Sequence, residues 1–175
     1  MEKLDLYIPK IDELWFYQKL MSDPDTMSYN ANYDVSYRGY HKETGCIDFP
    51  KEEWEDWYSW WIGQEPKRFF AYIRRCDDSE WIGNINFHYN SQKDWYDMGI
   101  VLYSHYRGKG YAQEALKLLL EHAFNDCDVN AIHNDFETTR VAARKAHIKA
   151  GFKEISVTND LVELLITKAD YEASK

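Results

Sequence analysis

The chain predicts a mixed α/β (α+β) fold, with helices packed on a largely antiparallel sheet, and three observations carry that prediction. Three apolar runs, Arg68 to Arg75, Glu80 to Tyr89 and Trp95 to Tyr103, are separated only by the turn clusters Asp77-Asp78-Ser79 and Asn90 to Asp94, the pattern of an antiparallel meander. The stretch from Lys109 to Phe124 then places Ala112, Ala115, Leu116, Leu119 and Ala123 on one helical face, with Glu114, Lys117 and Glu121 opposite. Strand and helix periods alternate from there to the C-terminus, which layers helices on a sheet.

In chain order, the first element is a short strand from Leu4 to Ile8. A helix at about Asp12 to Met21 follows, stopped by Ser22-Asp23-Pro24-Asp25. Ser28 to Phe49 has little periodicity and carries Tyr29, Tyr33, Tyr37 and Tyr40, so it reads as a long surface loop of the kind that often serves function. Pro50 opens a helix to about Ile62, where Trp54, Trp57, Tyr58 and Trp61 form a stripe that is more often core than ligand site. After the meander and the Lys109 helix come a strand from Val129 to Phe136 and a helix capped by Thr138 or Thr139, ended by Gly151. Phe152 to Thr158 and Leu161 to Lys168 read as a final strand pair. With no linker, repeat or composition break, the 175 residues are expected to form one domain.

Composition narrows the function. A formal net charge of -9 repels nucleic acid backbones and favours a cationic partner. The 7 Trp, 14 Tyr and 8 Phe exceed what a core of this size needs, so an aromatic-walled cleft stands beside the plainer reading of a bulky core. Cys46, Cys76 and Cys127 are odd in number and share no CxxC or Cys/His spacing, which argues against disulfides and a zinc site, so no metal is expected. No run approaches the roughly 20 apolar residues of a membrane span, and no cationic segment followed by an apolar run opens the chain. The expectation is a cytoplasmic protein with no membrane partner. Exposed Trp or Tyr patches would point to a homodimer.

Tyr106-Arg107-Gly108-Lys109-Gly110-Tyr111-Ala112 is the segment that carries chemistry. It lies between a strand and an amphipathic helix, where unpaired backbone N–H groups face anions and two glycines let the backbone approach a phosphate. Arg107 and Lys109 add positive charge, so a pyrophosphate is the natural ligand. A P-loop is excluded by the absence of Gly-Lys-Ser/Thr, and a Rossmann fingerprint by Gln113 standing where the third glycine belongs.

Arg107, Gly110 and Ala112 match the Gln/Arg-x-x-Gly-x-Gly/Ala signature of the GNAT N-acetyltransferase superfamily, and Ala143 to Phe152, ending in Lys149-Ala150-Gly151-Phe152, resembles its second recurring stretch. Ser22 to Met27 and Asp97 to Leu102 are similar to the branch containing ribosomal-protein-alanine acetyltransferases. The resemblance implies the acyl-CoA N-acyltransferase fold, with the strand holding Asp97 splayed from the Val129 strand, a bulge at Gly99, and acetyl-CoA as cosubstrate. Ile100, Val101 and Leu102 would hold the pantetheine and polarise the thioester carbonyl, and Gly108, Lys109, Gly110, Tyr111 and Ala112 the pyrophosphate, with Arg107 beside them.

The helix from Thr139 to Ala150 contains no acid; the resemblance favours Arg140 and Lys145 as CoA contacts, while Arg144 and Lys149 read equally well as a solvated face. Asp97 aligns with a carboxylate that many relatives carry just before the splay; the resemblance implies that it takes the amine's proton directly or through water, and a charged strand-end residue left in solvent is the alternative reading. His147 stands where the family usually has the tyrosine that protonates the CoA sulfur, so it is the candidate acid, beside the equally common reading of a helix histidine packed under the sheet. Tyr29, Tyr33 and Tyr37 would wall the acceptor, a primary amine on a small cationic molecule or a peptide N-terminus. The displaced tyrosine leaves a CoA-binding sensor that transfers nothing as the alternative.

Overall fold

The computed structural model describes residues 3–175. Its elements are β1 (Leu4–Tyr7), α1 (Trp15–Ser22), α2 (Pro24–Met27), α3 (Trp54–Trp61), β2 (Arg68–Arg75), β3 (Trp81–Asn90), β4 (Trp95–Leu102), α4 (Tyr111–Glu121), β5 (Ala131–Glu137), α5 (Val141–Ala150), β6 (Lys153–Val157), β7 (Leu161–Thr167) and α6 (Lys168–Ala173). The strands form one seven-stranded sheet in the order β1-β2-β3-β4-β5-β7-β6. Every neighbouring pair is antiparallel except β4 and β5, which run parallel. This is the mixed, mostly antiparallel sheet flanked by helices that the sequence predicts.

Strand alternation sorts side chains to two faces. On one face Phe69, Ala71 and Ile73 of β2, Ile85 and Phe87 of β3, Met98 and Leu102 of β4 and Ile132 of β5 meet Ala115, Leu116 and Leu119 of α4. Leu116 and Leu119 are fully buried, and each contributes about 2 kcal/mol by leaving water. The opposite face of β2, through Phe70 and Tyr72, packs under Phe16 and Leu20 of α1 and under Trp57 and Trp61 of α3. The tryptophan stripe is thus largely packing, and its cover stops short of β4, β5 and β7.

Several boundaries differ from the sequence expectation for identifiable reasons. The Asp23-Pro24 stop ends α1 but also starts α2, because the Asp23 carboxylate caps the Thr26 N–H at 2.9 Å and proline fits the first helical turn. Arg140, not Thr138 or Thr139, is the N-cap of α5, and it makes no side-chain capping bond. Gly151 at φ 111° ends α5 as expected. Gly99 makes no bulge: β3 and β4 pair in unbroken register, with Gly99 opposite Asn86, whose side-chain amide lies 3.1 Å from where a Cβ would stand. A helix beyond the final strand pair, α6, is not among the sequence expectations, although Thr167 and Asp170 form a reciprocal capping box at its start. Among the described residues no helix is long and apolar enough to cross a membrane.

Candidate active site

The β4–β5 pair is joined only at Tyr96↔Ile132 and Asp97↔His133. Beyond Asp97 the strands part, and the opening is floored by α4 and α5. The resulting cleft has a volume of about 670 Å3 and is lined by Ile100, Val101 and Leu102 on β4, by Arg107, Gly108 and Gly110 of the turn with the first residues of α4, and by the Thr139–Lys149 side of α5.

At one end of the cleft, Gly110 is the N-cap of α4 with φ 86° and Gly108 has φ 75°. Both conformations are left-handed and suit glycine, and a Cβ on Gly108 would meet nothing within 4 Å. At its two glycines the turn therefore presents backbone without a side chain at the positive end of an 11-residue helix, which suits an anion. Arg107 lines the cleft, but its guanidinium donates to three backbone carbonyls, Leu102 at 3.3 Å, Asp25 at 3.2 Å and Thr26 at 2.5 Å. The Ser104 N–H also donates to Thr26 Oγ1 at 3.0 Å, so Arg107 works as a tie that clamps α2 onto the turn after β4. Lys109 does not line the cleft and stands over the Tyr106 ring at 5.3 Å.

The cations of α5 divide by helical position. Lys145 and Lys149, one turn apart, both line the cleft. Arg140 lines it too, between the rings of Tyr29 at 4.8 Å and Phe136 at 5.2 Å. Arg144 turns away into a two-pronged pair with Glu154 at 2.5 and 2.8 Å. Lys149, left open by the sequence, thus joins the cleft, as do Gln113, Thr139, Ala142 and Ala146, which carry no motif to flag them.

Other sequence candidates are redistributed. Tyr29 lines the cleft itself, and burial pushes its hydroxyl pKa up. Tyr33 and Tyr37 lie exposed outside the cleft, Tyr37 against the ring of Tyr40 at 5.0 Å. His147 reaches the cleft wall but is only 2% exposed, and burial pushes it down to about 4. Its Nδ1 lies 2.8 Å from the Ala143 carbonyl and its Nε2 3.0 Å from the Asn134 amide, so Nδ1–H donates and Nε2 accepts. A neutral ring with both nitrogens engaged has no proton to give at neutral pH, so His147 is a poor general acid.

Asp97 sits at the closed end of the fork, outside the cleft lining. Its carboxylate accepts from Asn90 at 2.8 Å, Trp95 Nε1 at 3.0 Å and His133 Nδ1 at 2.8 Å. His133 is buried, stacks on Trp95 at 4.4 Å, and brings its Nε2 within 3.4 Å of Glu163. Trp61 of α3 stands edge-on to His88, the β3 residue opposite Asp97, at 6.0 Å. Pairing across strands was the signal missing from the sequence: His133 and Glu163 are far from Asp97 in the chain and come beside it in the sheet, while His88 meets it across the β3–β4 turn.

The parted strands and the glycine-built anion seat define an acyl-CoA N-acyltransferase fold. Residues 7–153 match the family model described as Acetyltransferase (GNAT) domain, and the chain belongs to that family. The expectation of an acetyl-CoA-dependent N-acetyltransferase agrees with it. No curated protein sequence matches significantly. Among solved structures, the chain is similar to a GNAT-family acetyltransferase from Bacillus anthracis, with 18% identity, 96% of each chain covered and a TM-score of 0.71. It is also similar to the spermidine N-acetyltransferase of Vibrio cholerae in complex with CoA and spermine, with 17% identity, 97% of this chain and 98% of that one covered and a TM-score of 0.74. The spermidine/spermine N-acetyltransferase from the same organism in complex with manganese ions gives 16% identity, 99% and 97% coverage and a TM-score of 0.72.

The expectation of no metal is overturned. One similar structure holds manganese ions, and here Glu65, His122 and Cys127 place ligating atoms all within 4.8 Å of one another. Sequence spacing missed the group because Glu65 reaches the other two only through the fold.

Proposed function

We propose that this chain transfers the acetyl group of acetyl-CoA to a primary amine of a small polycation, in a single domain, with CoA lying in the fork between β4 and β5. The observation that carries the reading is the glycine seat at the start of α4 opening into that fork. The pyrophosphate rests on the Gly108–Ala112 backbone with Lys145 and Lys149 beside it. Ile100, Val101 and Leu102 offer backbone groups to the pantetheine as an added strand would, and one N–H stabilises the charge developing on the thioester oxygen.

The acceptor enters over the sheet face that α1 and α3 leave open, where Asp97, Asp135 and Glu163 alternate with the inward-facing residues. Trp61, His88 and Trp95 supply aromatic surface there, in place of Tyr33 and Tyr37. The neutral amine attacks the carbonyl carbon, the C–N bond forms and the C–S bond breaks, its proton leaves toward Asp97 and His133, and the thiolate takes a proton from solvent. The two Vibrio structures are of polyamine acetyltransferases, and the acidic face supports the same substrate class over a ribosomal-protein N-terminus. His147, neutral and engaged at both nitrogens, favours one second reading: a CoA-binding sensor that transfers nothing.

An amine panel, with spermidine, spermine, simple diamines and an alanine-starting peptide, tests this by following thiol release with acetyl-CoA. Amine-dependent release with polyamines leading supports transfer; CoA binding without release selects the sensor. Asp97→Asn is expected to lower turnover by about 100-fold with CoA affinity retained, and unchanged turnover removes Asp97 from the reaction.

A further inference from the structure

We propose that Glu65, His122 and Cys127 form a binding site for a borderline-soft divalent cation of the zinc type, at the opposite end of α4 from the glycine seat. The inference does not rest on the acetyltransferase reading. After Glu121 the helix widens into a π turn, His122–Asp126, which leaves the His122 ring and the Cys127 sulfur on the same side. Glu65 arrives from the connection between α3 and β2. Roughly 16 Å of helix separates the two ends of α4.

The spacing suits tetrahedral coordination. With Zn–S about 2.3 Å and Zn–N about 2.0–2.1 Å, two ligands of one zinc lie about 3.5 Å apart, and Cys127 Sγ lies 3.5 Å from His122 Nε2. Glu65 Oε1 is 2.7 Å from the same nitrogen, so it must withdraw by about 0.6 Å to share a cation. Its side chain is 37% exposed and free to make that move. His122 is also prepared from behind: Asp126 Oδ2 lies 2.8 Å from Nδ1. With a cation at Nε2 in place of a proton, a carboxylate at Nδ1 holds the Nδ1–H tautomer, the outer-shell support that metal-bound histidines use.

The competing explanation is an imidazolium held between two carboxylates. That arrangement accounts for Glu65 and Asp126 but gives the thiol at Nε2 no role. Thiolate and imidazole donors select zinc or cobalt over manganese, magnesium or calcium, and the negative end of a helix adds to the attraction for a cation. A bound ion would fasten the connection leaving α3, which covers one face of the sheet, to the end of α4, which covers the other.

The test uses the full chain after chelator treatment, titrated with Zn2+, Co2+ and Mn2+. The expected result is one Zn2+ per chain with Kd below about 1 μM, Mn2+ weaker by at least about 100-fold, a zinc-induced rise in Tm, and a thiolate-to-cobalt charge-transfer band with Co2+. Cys127→Ser is expected to abolish that band, and both it and Glu65→Gln to weaken zinc by at least about 10-fold with unchanged circular dichroism. Because Glu65 is partly exposed, Glu65→Gln decides the matter should Cys127→Ser misfold. No saturable zinc binding, Mn2+ binding as tightly as Zn2+, or zinc binding indifferent to the variants overturns the proposal; the last places the ion at another group such as exposed Cys76.

Discussion

The two helices that floor the cleft do opposite kinds of work. The helix α4 offers its ligand backbone: glycines with positive φ, an exposed helix start, and an apolar face with Ala115, Leu116 and Leu119 fully buried. Its neighbour α5 offers side chains: Arg140, Lys145 and Lys149 toward the cleft, with His147 as the polar residue packed beneath. Recognition by backbone needs particular residues at particular positions and tolerates little. Recognition by flexible cations is spread over several residues, each contributing modestly.

Removing the glycine seat is the sharpest way to break that contrast. Gly110→Trp puts a Cβ where φ is 86°, a conformation costing about 1–2 kcal/mol for L-residues, and fills the anion seat with an indole. Calorimetric titration should show CoA affinity falling by at least about 1000-fold, or about 4 kcal/mol. ATP and NAD, titrated beside CoA, should bind neither protein. Retained CoA affinity in a folded variant would detach the pyrophosphate from α4 altogether.

The α5 side breaks through its histidine. The ordinary value of His147 is 6.5, and burial holds it at about 4 in the fold. Between those values the unfolded chain takes up a proton that the folded chain refuses, so stability rises with pH in this window. The contribution is complete above pH 6.5 and is lost as the pH falls toward 4. Going from pH 7 to pH 5 should cost about 2 kcal/mol of unfolding free energy through this group. His147→Phe fits between Phe136 and Phe152, whose ring centroids lie 5.2 and 5.0 Å away. Urea unfolding at the two pH values should show that increment gone in the variant. Identical pH dependence in both proteins would mean that the ring takes up its proton as readily in the fold as in the unfolded chain, which reopens its candidacy as an acid.

The same contrast explains what the sequence disclosed. The α4 wall was legible because its two glycines, which a tight turn alone would explain, stand with Arg107 and Lys109 between a strand and an amphipathic helix, and the meander because its turns are short and polar. The α5 wall was legible only as a basic helix without acids. Which cation faces the cleft depends on rotation about the helix axis, set by Glu154 on β6 and by Tyr29 from a loop more than 100 residues earlier. His147 had the position of the family's acid, but its environment, Asn134 on β5 and the Ala143 carbonyl, exists only once the layers pack. The cluster around Cys127 was hidden for the same reason, since Glu65 and His122 are 57 positions apart.

The smallest expected effects resolve the cations of α5 themselves. Lys145→Ala and Lys149→Ala should each weaken CoA by about 3–5-fold, the scale of one partly solvated ion pair, and together about multiplicatively if each meets a separate part of the phosphates. Raising the salt should shrink both losses, because charges at the mouth of an open cleft are screened within about 10 Å at 0.1 M. Arg144→Ala should leave CoA affinity unchanged while losing the pair with Glu154. Its guanidinium lies one residue from Lys145 in sequence yet on another face of the helix. Equal losses from Arg144→Ala and Lys145→Ala would mean that α5 attracts CoA through its net charge alone; a loss confined to Lys145 and Lys149 would mean that the rotation of the helix chooses the contacts.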